Sequence, residues 1–235
     1  MRTFEEIEQI NCQDCESRQC SIFENCNKDV LEDLNQMKTC KFYKKGEVLF
    51  EEGKRPRGLF CVLEGKIKVY QQGIAGKEQI VHLIHDGDIM GHRALFGNDT
   101  YSCTGVAMED SKVCFIPKTE FYDIVNVDGK LTFRIAQLLA DELKEAEQNI
   151  THTAQQPIII RLIKTLLALH AQYGFESDGM TLNIEMKRED LANLVGTTRE
   201  TVTRYLYKLQ SQGIIQLKAK KIKIDDLKNL NNLVE

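Results

Sequence analysis

Near residue 129 the spacing of apolar residues changes, and this change limits the folds open to the chain. Before it, ten of the fifteen glycines fall between Gly46 and Gly105, punctuating short apolar runs at Val48–Phe50, Leu59–Leu63, Ile67–Tyr70, Gln79–Ile84 and Val113–Ile116. Short runs rich in Val, Ile, Phe and Tyr, divided by frequent turns, predict a β-sandwich or jelly roll. Lys66-Ile67-Lys68-Val69 alternates polar and apolar residues, which puts Ile67 and Val69 on one strand face and both lysines on the other. After residue 129 the apolar positions Leu131, Ile135, Leu138, Leu139, Leu143, Ala146 and Ile150 recur at steps of three and four, the signature of a long amphipathic helix. The fold class expected is therefore α+β, with a β-roll followed by helices.

Charge divides the chain at nearly the same place. Residues 1–150 hold 19 Lys+Arg against 26 Asp+Glu, whereas residues 151–235 hold 12 against 9. An acidic first part joined to a basic second part is expected where only the second approaches phosphate, although +3 over 85 residues also suits an ordinary solvated surface. Pro157 is suited to start an apolar helix over Ile158–Tyr173, which Gly174 can end. No run approaches the roughly 18 apolar residues of a membrane span, and the first eight residues are acidic where an export signal needs an apolar segment. The expectation is a cytoplasmic protein with no membrane partner.

Within the basic part, Arg188–Leu194 and Thr198–Gln210 read as two short helices around Gly196, the spacing of a helix-turn-helix. Val202, Leu206 and Leu209 form the inward stripe of the second helix, leaving Arg199, Glu200, Thr203, Arg204, Tyr207 and Lys208 outward. Arginine can fork hydrogen bonds to guanine O6 and N7, and glutamate can accept from cytosine N4. Thr197-x-x-Glu200 also fits a capping box, in which Glu200 would read nothing. Beyond it, Ile214–Leu217 and Lys221–Ile224 read as a hairpin carrying Lys218, Lys220, Lys221 and Lys223, a basic wing able to hold phosphate.

The segment from Met186 to Arg204, MKREDLANLVGTTRETVTR, closely resembles the winged helix-turn-helix signature of the Crp/Fnr transcription regulators. Gly46-Glu47-Val48-Leu49-Phe50-Glu51-Glu52-Gly53 and Gly87-Asp88-Ile89-Met90-Gly91 are similar to that family's cyclic-nucleotide-binding β-roll, and residues 129–153 to its dimer helix. The resemblance implies a Cys-rich segment over 1–28, a β-roll sensor over 29–128, a dimerisation helix over 129–153 and a winged helix-turn-helix over 154–235. It further implies a homodimer on palindromic double-stranded operator DNA, base reading by Arg199, Glu200, Thr203 and Arg204, phosphate contact near Lys220, and RNA polymerase as a partner.

Two features bear on the signal. The cyclic-AMP-binding members carry Gly-Glu-Leu followed by Arg-Ser, the Glu engaging the ribose and the Arg the cyclic phosphate. Here the matching places hold Gly91-His92-Arg93 and Tyr101-Ser102, which argues against cyclic AMP, and on an alternating strand Arg93 is displaced by one position. These five residues are the candidate effector pocket. The cysteines offer a different sensor. Cys12-x2-Cys15-x4-Cys20 with distant Cys114 is similar to the Fnr branch, which implies four thiolates holding an oxygen-sensitive [4Fe–4S] cluster. That branch usually shows five residues, not four, between the second and third cysteines. A four-cysteine zinc site and a redox dithiol use similar spacing. Eight cysteines without an export signal are expected as thiols or metal ligands rather than disulfides; Cys40, Cys61 and Cys103 are assigned to the core and Cys26 as a spare. An enzyme of cupin type, with His82, His85 and His92 around a metal, lacks the His-x-His pair, and His82 and His85 would face opposite sides of one strand.

Overall fold

The computed structural model describes residues 10–97 and 99–234, apart from the side chains of Cys20 and Ala75. It divides into two compact units, 1–76 with 80–144 and 77–79 with 145–235. Among the described residues no helix is long and apolar enough to cross a membrane.

The first unit begins with a 3-10 turn at Glu16–Cys20 and helix α1 (Lys28–Met37), then lays down a roll of two four-stranded sheets. One sheet orders β1 (Thr39–Tyr43), β8 (Ser111–Pro117), β3 (Gly58–Glu64) and β6 (Ile89–Met90); the other orders β2 (Val48–Phe50), β7 (Thr104–Ala107), β4 (Ile67–Gln72) and β5 (Glu78–Ile84). The sheets enclose Phe50, Phe60, Val62, Ile67, Val69, Met90 and Val113. Successive strand residues face opposite ways, so the neighbours Leu59 and Ile116 point out of the roll and bury against α1, α3 (Lys118–Val127) and the start of α4 (Gly129–Gln155) through Leu34, Phe121, Ile124, Leu131 and Ile135. Helix α2 (His92–Phe96) closes one end.

The apolar stripe of α4 is split by the structure. Leu131 and Ile135 are buried, and Leu138 and Leu139 pack on the same core. Leu143 and Ile150 are 61% and 70% exposed, and Phe133, outside the stripe, is 64% exposed. Phe133, Ala136, Ala140 and Leu143 are all exposed and follow the three-four spacing of a heptad seam. This exposed row shares Leu143 with the stripe that the periodicity picked out but otherwise runs beside it.

In the second unit Pro157 caps α5 (Ile158–Tyr173), and Gly174 ends it at φ 67°. Leu162, Ile163, Leu166 and Leu169 of α5 are buried together with residues of α6 (Arg188–Val195), α7 (Arg199–Ser211), the β9/β10 hairpin (Ile215–Lys218, Lys221–Ile224) and α8 (Leu227–Asn232).

Candidate nucleic-acid interface and sensor cavities

The turn between α6 and α7 is built by local chemistry. Gly196 takes φ 74° and ψ 49°, a left-handed conformation that glycine adopts without a Cβ penalty, and the amides of Gly196 and Thr197 both donate to the Ala192 carbonyl. Thr197 is then buried, and the cap of α7 is Thr198, whose hydroxyl accepts from the Thr201 amide at 3.3 Å. Thr198 rather than Thr197 is therefore the cap, with no bond from Glu200 completing a capping box among the described residues, and Glu200 is exposed in the first turn. Val202, Leu206 and Leu209 are at most 1% exposed. This locks the rotation of α7 and turns Arg199, Glu200 and Arg204 outward, with Thr203 half-buried beside them. The Arg204 guanidinium lies 5.2 Å from the Tyr205 ring centroid, a cation–π contact that leaves its donors available.

The hairpin beside α7 is basic, with a correction to its cation set. Lys221 pairs with Glu176 at 2.7 Å and Lys223 with Asp225 at 3.4 Å, so these two are partly neutralised within the unit. Lys218 and Lys220 are exposed. At the tip, Ala219 takes φ 52° and its carbonyl accepts from Arg188 Nη2 at 3.1 Å, tying the wing to the first residue of α6.

A second site lies on the outer face of the β1-β8-β3 sheet. Cys12, Cys15, Cys61 and Cys114 line one cavity of about 50 Å³, with Lys38, Leu31, Leu34 and Ile116. Residues about a hundred positions apart thus converge. Buried Lys38 organises the N-terminal segment: its Nζ donates to Cys12 Sγ at 2.9 Å, to Asn35 Oδ1 at 2.9 Å and to the Ile10 carbonyl. The Cys12 amide donates to the same Asn35 oxygen, and Ser17 Oγ donates to the Leu63 carbonyl, holding the 3-10 turn to the end of β3.

The cysteine expectations are revised at two points. Cys114 is joined to Cys40 in a disulfide; it is not the free thiolate that a metal requires, and Cys40 is more than a small core residue. The physical reason is register: Cys40 and Cys114 are direct antiparallel partners, and such neighbours approach closely enough for bonding. Cys61 lines the cavity and does not merely fill the core, and burial, reinforced by Cys12 and Cys15 and opposed by Lys38, pushes its thiol up. Cys26, the spare, does not line the cavity; burial first, then Asp128, push its thiol up to about 11 against the opposing Arg134 and Arg18. The Cys20 side chain lies outside the described residues. Among those residues, no three His, Cys, Asp or Glu side chains stand together as a ready metal site.

Gly91, His92, Arg93, Tyr101 and Ser102 are brought together around a separate cavity of about 40 Å³. Residues 92–96 form a helix, so strand alternation does not govern Arg93. Nothing in the sequence points to Glu142 of α4, which also lines this cavity and whose Oε2 lies 3.0 Å from His92 Nε2 and 3.8 Å from Arg93 Nε. Burial pulls the Glu142 carboxyl up, but the His92 hydrogen bond and the charges of Arg93 and His82 hold it below its ordinary value. Tyr101 is buried with its ring 4.6 Å from Phe50. His82 sits at this cavity while His85 pairs with Asp88 at 3.0 Å, so the histidines are not gathered about one point.

A nucleotide-binding-type roll joined to a helix-turn-helix defines a class of DNA-binding transcription regulator. Residues 40–128 match the family described as Cyclic nucleotide-binding domain, and residues 160–233 match the Crp-like helix-turn-helix domain. The Anaerobic regulatory protein of Pasteurella multocida is 32% identical over 222 residues, covering 93% of this chain and 80% of that protein. The Fumarate and nitrate reduction regulatory protein of Vibrio cholerae is 32% identical over 219 residues, covering 92% and 86%. Among solved structures, FixK2 from Bradyrhizobium japonicum superposes with a TM-score of 0.73 at 23% identity over 84% of this chain and 98% of that one, a likeness of fold. TTHA1359, a CRP/FNR-family regulator from Thermus thermophilus, gives 0.70 at 29% identity over 83% and 97%. The chain belongs to the Crp/Fnr family of transcriptional regulators, of the FNR type.

Proposed function

We propose that this regulator senses oxidants through an iron–sulfur cluster held by Cys12, Cys15, Cys20 and Cys114, and binds a two-fold operator as a homodimer. The observation that carries the reading is the convergence of Cys12, Cys15 and Cys114 on one cavity, together with relatives named for anaerobic, fumarate and nitrate regulation. The donor set fits such a group: cysteine sulfurs, a buried lysine on Cys12 and apolar walls, once Cys114 is released from Cys40. Four thiolates satisfy the ligand count of a [4Fe–4S] cluster, which supplies an oxidant-labile group at the site. Lys38 and Asn35 fix the loop that presents Cys12, and Ser17 ties the following turn to the end of β3.

The response passes through α4. Its exposed seam of Phe133, Ala136, Ala140 and Leu143 is suited to a second copy of the same helix, the small alanines allowing close approach. Two copies would then present two α7 helices to half-sites about 34 Å apart, with Arg199, Glu200, Thr203 and Arg204 on base edges and Lys218 and Lys220 on phosphate. RNA polymerase is the downstream partner this implies. In the second cavity Glu142 engages His92 and Arg93, and Tyr101 places no cation where a cyclic phosphate would lie, so cyclic AMP is not the effector in this reading.

The test is anaerobic purification with an absorption spectrum, iron and acid-labile sulfide analysis, sedimentation, and affinity for a two-fold site selected from random DNA, before and after air. Iron and sulfide in equal amounts, a dimer on DNA, and affinity lost in air are expected. Stoichiometric zinc without sulfide, or affinity indifferent to air, would sink the oxidant-sensing reading and leave DNA recognition standing.

A further inference from the structure

Cys40, Cys114 and Cys61 form one row across three adjacent strands: Cys40 is the register partner of Cys114 on β1, and Cys61 is its partner on β3. Residues directly opposite across antiparallel strands share a face. Cys114 has Val113 and Phe115, which pack with the roll interior, as neighbours, so all three sulfurs stand on the outer face beneath the N-terminal segment. Cys114 lines the cavity with Cys12 and Cys15; Cys40, 3% exposed, does not, and is bonded to Cys114 from the neighbouring strand. The sulfur of Cys114 therefore has two partners to choose between, a metal in the cavity and Cys40 beside it on β1. It can serve only one, because a metal needs the thiolate and a disulfide sulfur carries no charge.

We infer that Cys40 and Cys114 are a redox modification site whose disulfide form excludes cluster ligation. The inference rests on the proposed cluster. While Cys114 is a ligand, Cys40 is a thiol. When an oxidant strips the metal, the Cys114 thiolate is exposed to the cavity and attacks a peroxide oxygen, giving a sulfenic acid and releasing hydroxide, which takes up a proton as water. The Cys40 thiol then attacks that sulfur, an S–S bond forms, and the second water leaves with the thiol proton. Two thiols supply two electrons to one hydrogen peroxide. Reloading then requires a dithiol or phosphine to restore both thiols, so the bridge stores the oxidant signal after the oxidant is gone. Cys61 is a free thiol in the same row and takes no part.

The experiment uses the full chain, loaded anaerobically and then treated with hydrogen peroxide. Samples are denatured in an alkylating agent, cut with trypsin without reductant and weighed. Cleavage at lysine gives Thr39–Lys41 and Val113–Lys118, each with one cysteine. The loaded protein should yield both peptides without a bridge between them. After peroxide the bridged pair should dominate, with loss of alkylation at Cys40 and Cys114 only. Cys40→Ser should take up the same iron and sulfide as the wild type, and after peroxide its Cys114 should carry no bridge. Full alkylation of Cys114 in peroxide-treated, iron-free protein overturns the inference, as does a bridge to Cys61 or to an N-terminal cysteine. A fully loaded protein that already carries the bridge overturns the exclusion and removes Cys114 from the ligand set. Failure of the wild type to bind iron and sulfide at all is a separate result: it sinks the cluster reading and, with it, the competition.

Discussion

The recognition helix and the cysteine cavity are assembled in contrasting ways. Everything that orients α7 lies close in sequence: the Gly196 turn, the Thr198 cap and the buried row of Val202, Leu206 and Leu209. The cavity instead gathers Cys12, Cys15, Lys38, Cys61 and Cys114 from a polar segment, the residue after a helix and two strands. A surface built from local contacts keeps its shape whatever happens elsewhere in the chain. One built from distant segments loses its shape when any segment detaches, which suits a detector. Under the proposed function, the difference makes the α7 face the fixed element and the cysteine cavity the conditional one.

The largest effect that could break this contrast is loss of the second unit's core. Leu206 is fully buried, and removing its side chain as Leu206→Ala should cost roughly 2–5 kcal/mol through lost transfer energy and an unfilled cavity. Denaturant unfolding should show an early transition from residues 145–235, with operator binding weakened and iron content after anaerobic loading unchanged. A parallel drop in iron would show that the two regions are not independent.

Next in size are the surface cations. Arg204→Ala should lose about 1–3 kcal/mol on the selected operator and little on random DNA, whereas Lys220→Ala should weaken both and lower the salt slope by about one. Titrations at several salt concentrations separate these outcomes. Equal losses for Arg204→Ala on both DNAs would deprive that residue of base reading, making α7 a phosphate clamp with no sequence preference.

The same contrast governs what the sequence could disclose. The helices around Gly196 and the strands from Ile215 to Ile224 are legible within a residue or two, because caps, turn and periodicity are all local signals. Three of the four proposed cysteine ligands reach one cavity, but nothing along the chain indicates that Cys40 faces Cys114, a pairing 74 residues apart made by strand register. Glu142 was hidden for the same reason: among the charged residues of a long amphipathic helix it looks like solvated surface, and only the fold carries it to His92. Along α4, periodicity reports apolar residues without saying which neighbour covers them. Leu131 and Ile135 meet their own domain, and the exposed seam runs through Phe133 and Leu143.

The smallest expected effect is a difference in acid response between the two regions. In the first unit His82 is lowered from its ordinary 6.5, by burial and then Arg93, with Glu142 opposing, His92 adding and Asp88 opposing. Glu142 is lowered from its ordinary 4.5, burial being outweighed by His92, Arg93 and His82. Both folded values lie below the unfolded ones, so the unfolded chain binds protons first and stability falls as pH drops. For His82 the loss begins near 6.5 and continues through its folded value; for Glu142 it begins near 4.5. These groups are partly open to solvent, so each contributes at most about 1 kcal/mol. In the second unit the deepest shift is that of Asp178, held at about 2 by the Thr181 hydroxyl and the amides of Thr181 and Met180, and its contribution is lost only from about 3.8 downward. His85 is raised above 6.5 by its hydrogen bond to Asp88, so between about pH 7 and 5 it binds protons first in the folded chain and opposes His82. The first unit should therefore lose stability chiefly below about 4.5, through Glu142, ahead of the Asp178 loss in the second. His82→Asn should raise stability in the upper window relative to the wild type, and Glu142→Gln should flatten the part below 4.5. Unfolding followed by residue-resolved hydrogen exchange between pH 7 and 4 can assign each loss to its unit, and a second unit that loosens first would place the conditional element at the DNA end of the molecule.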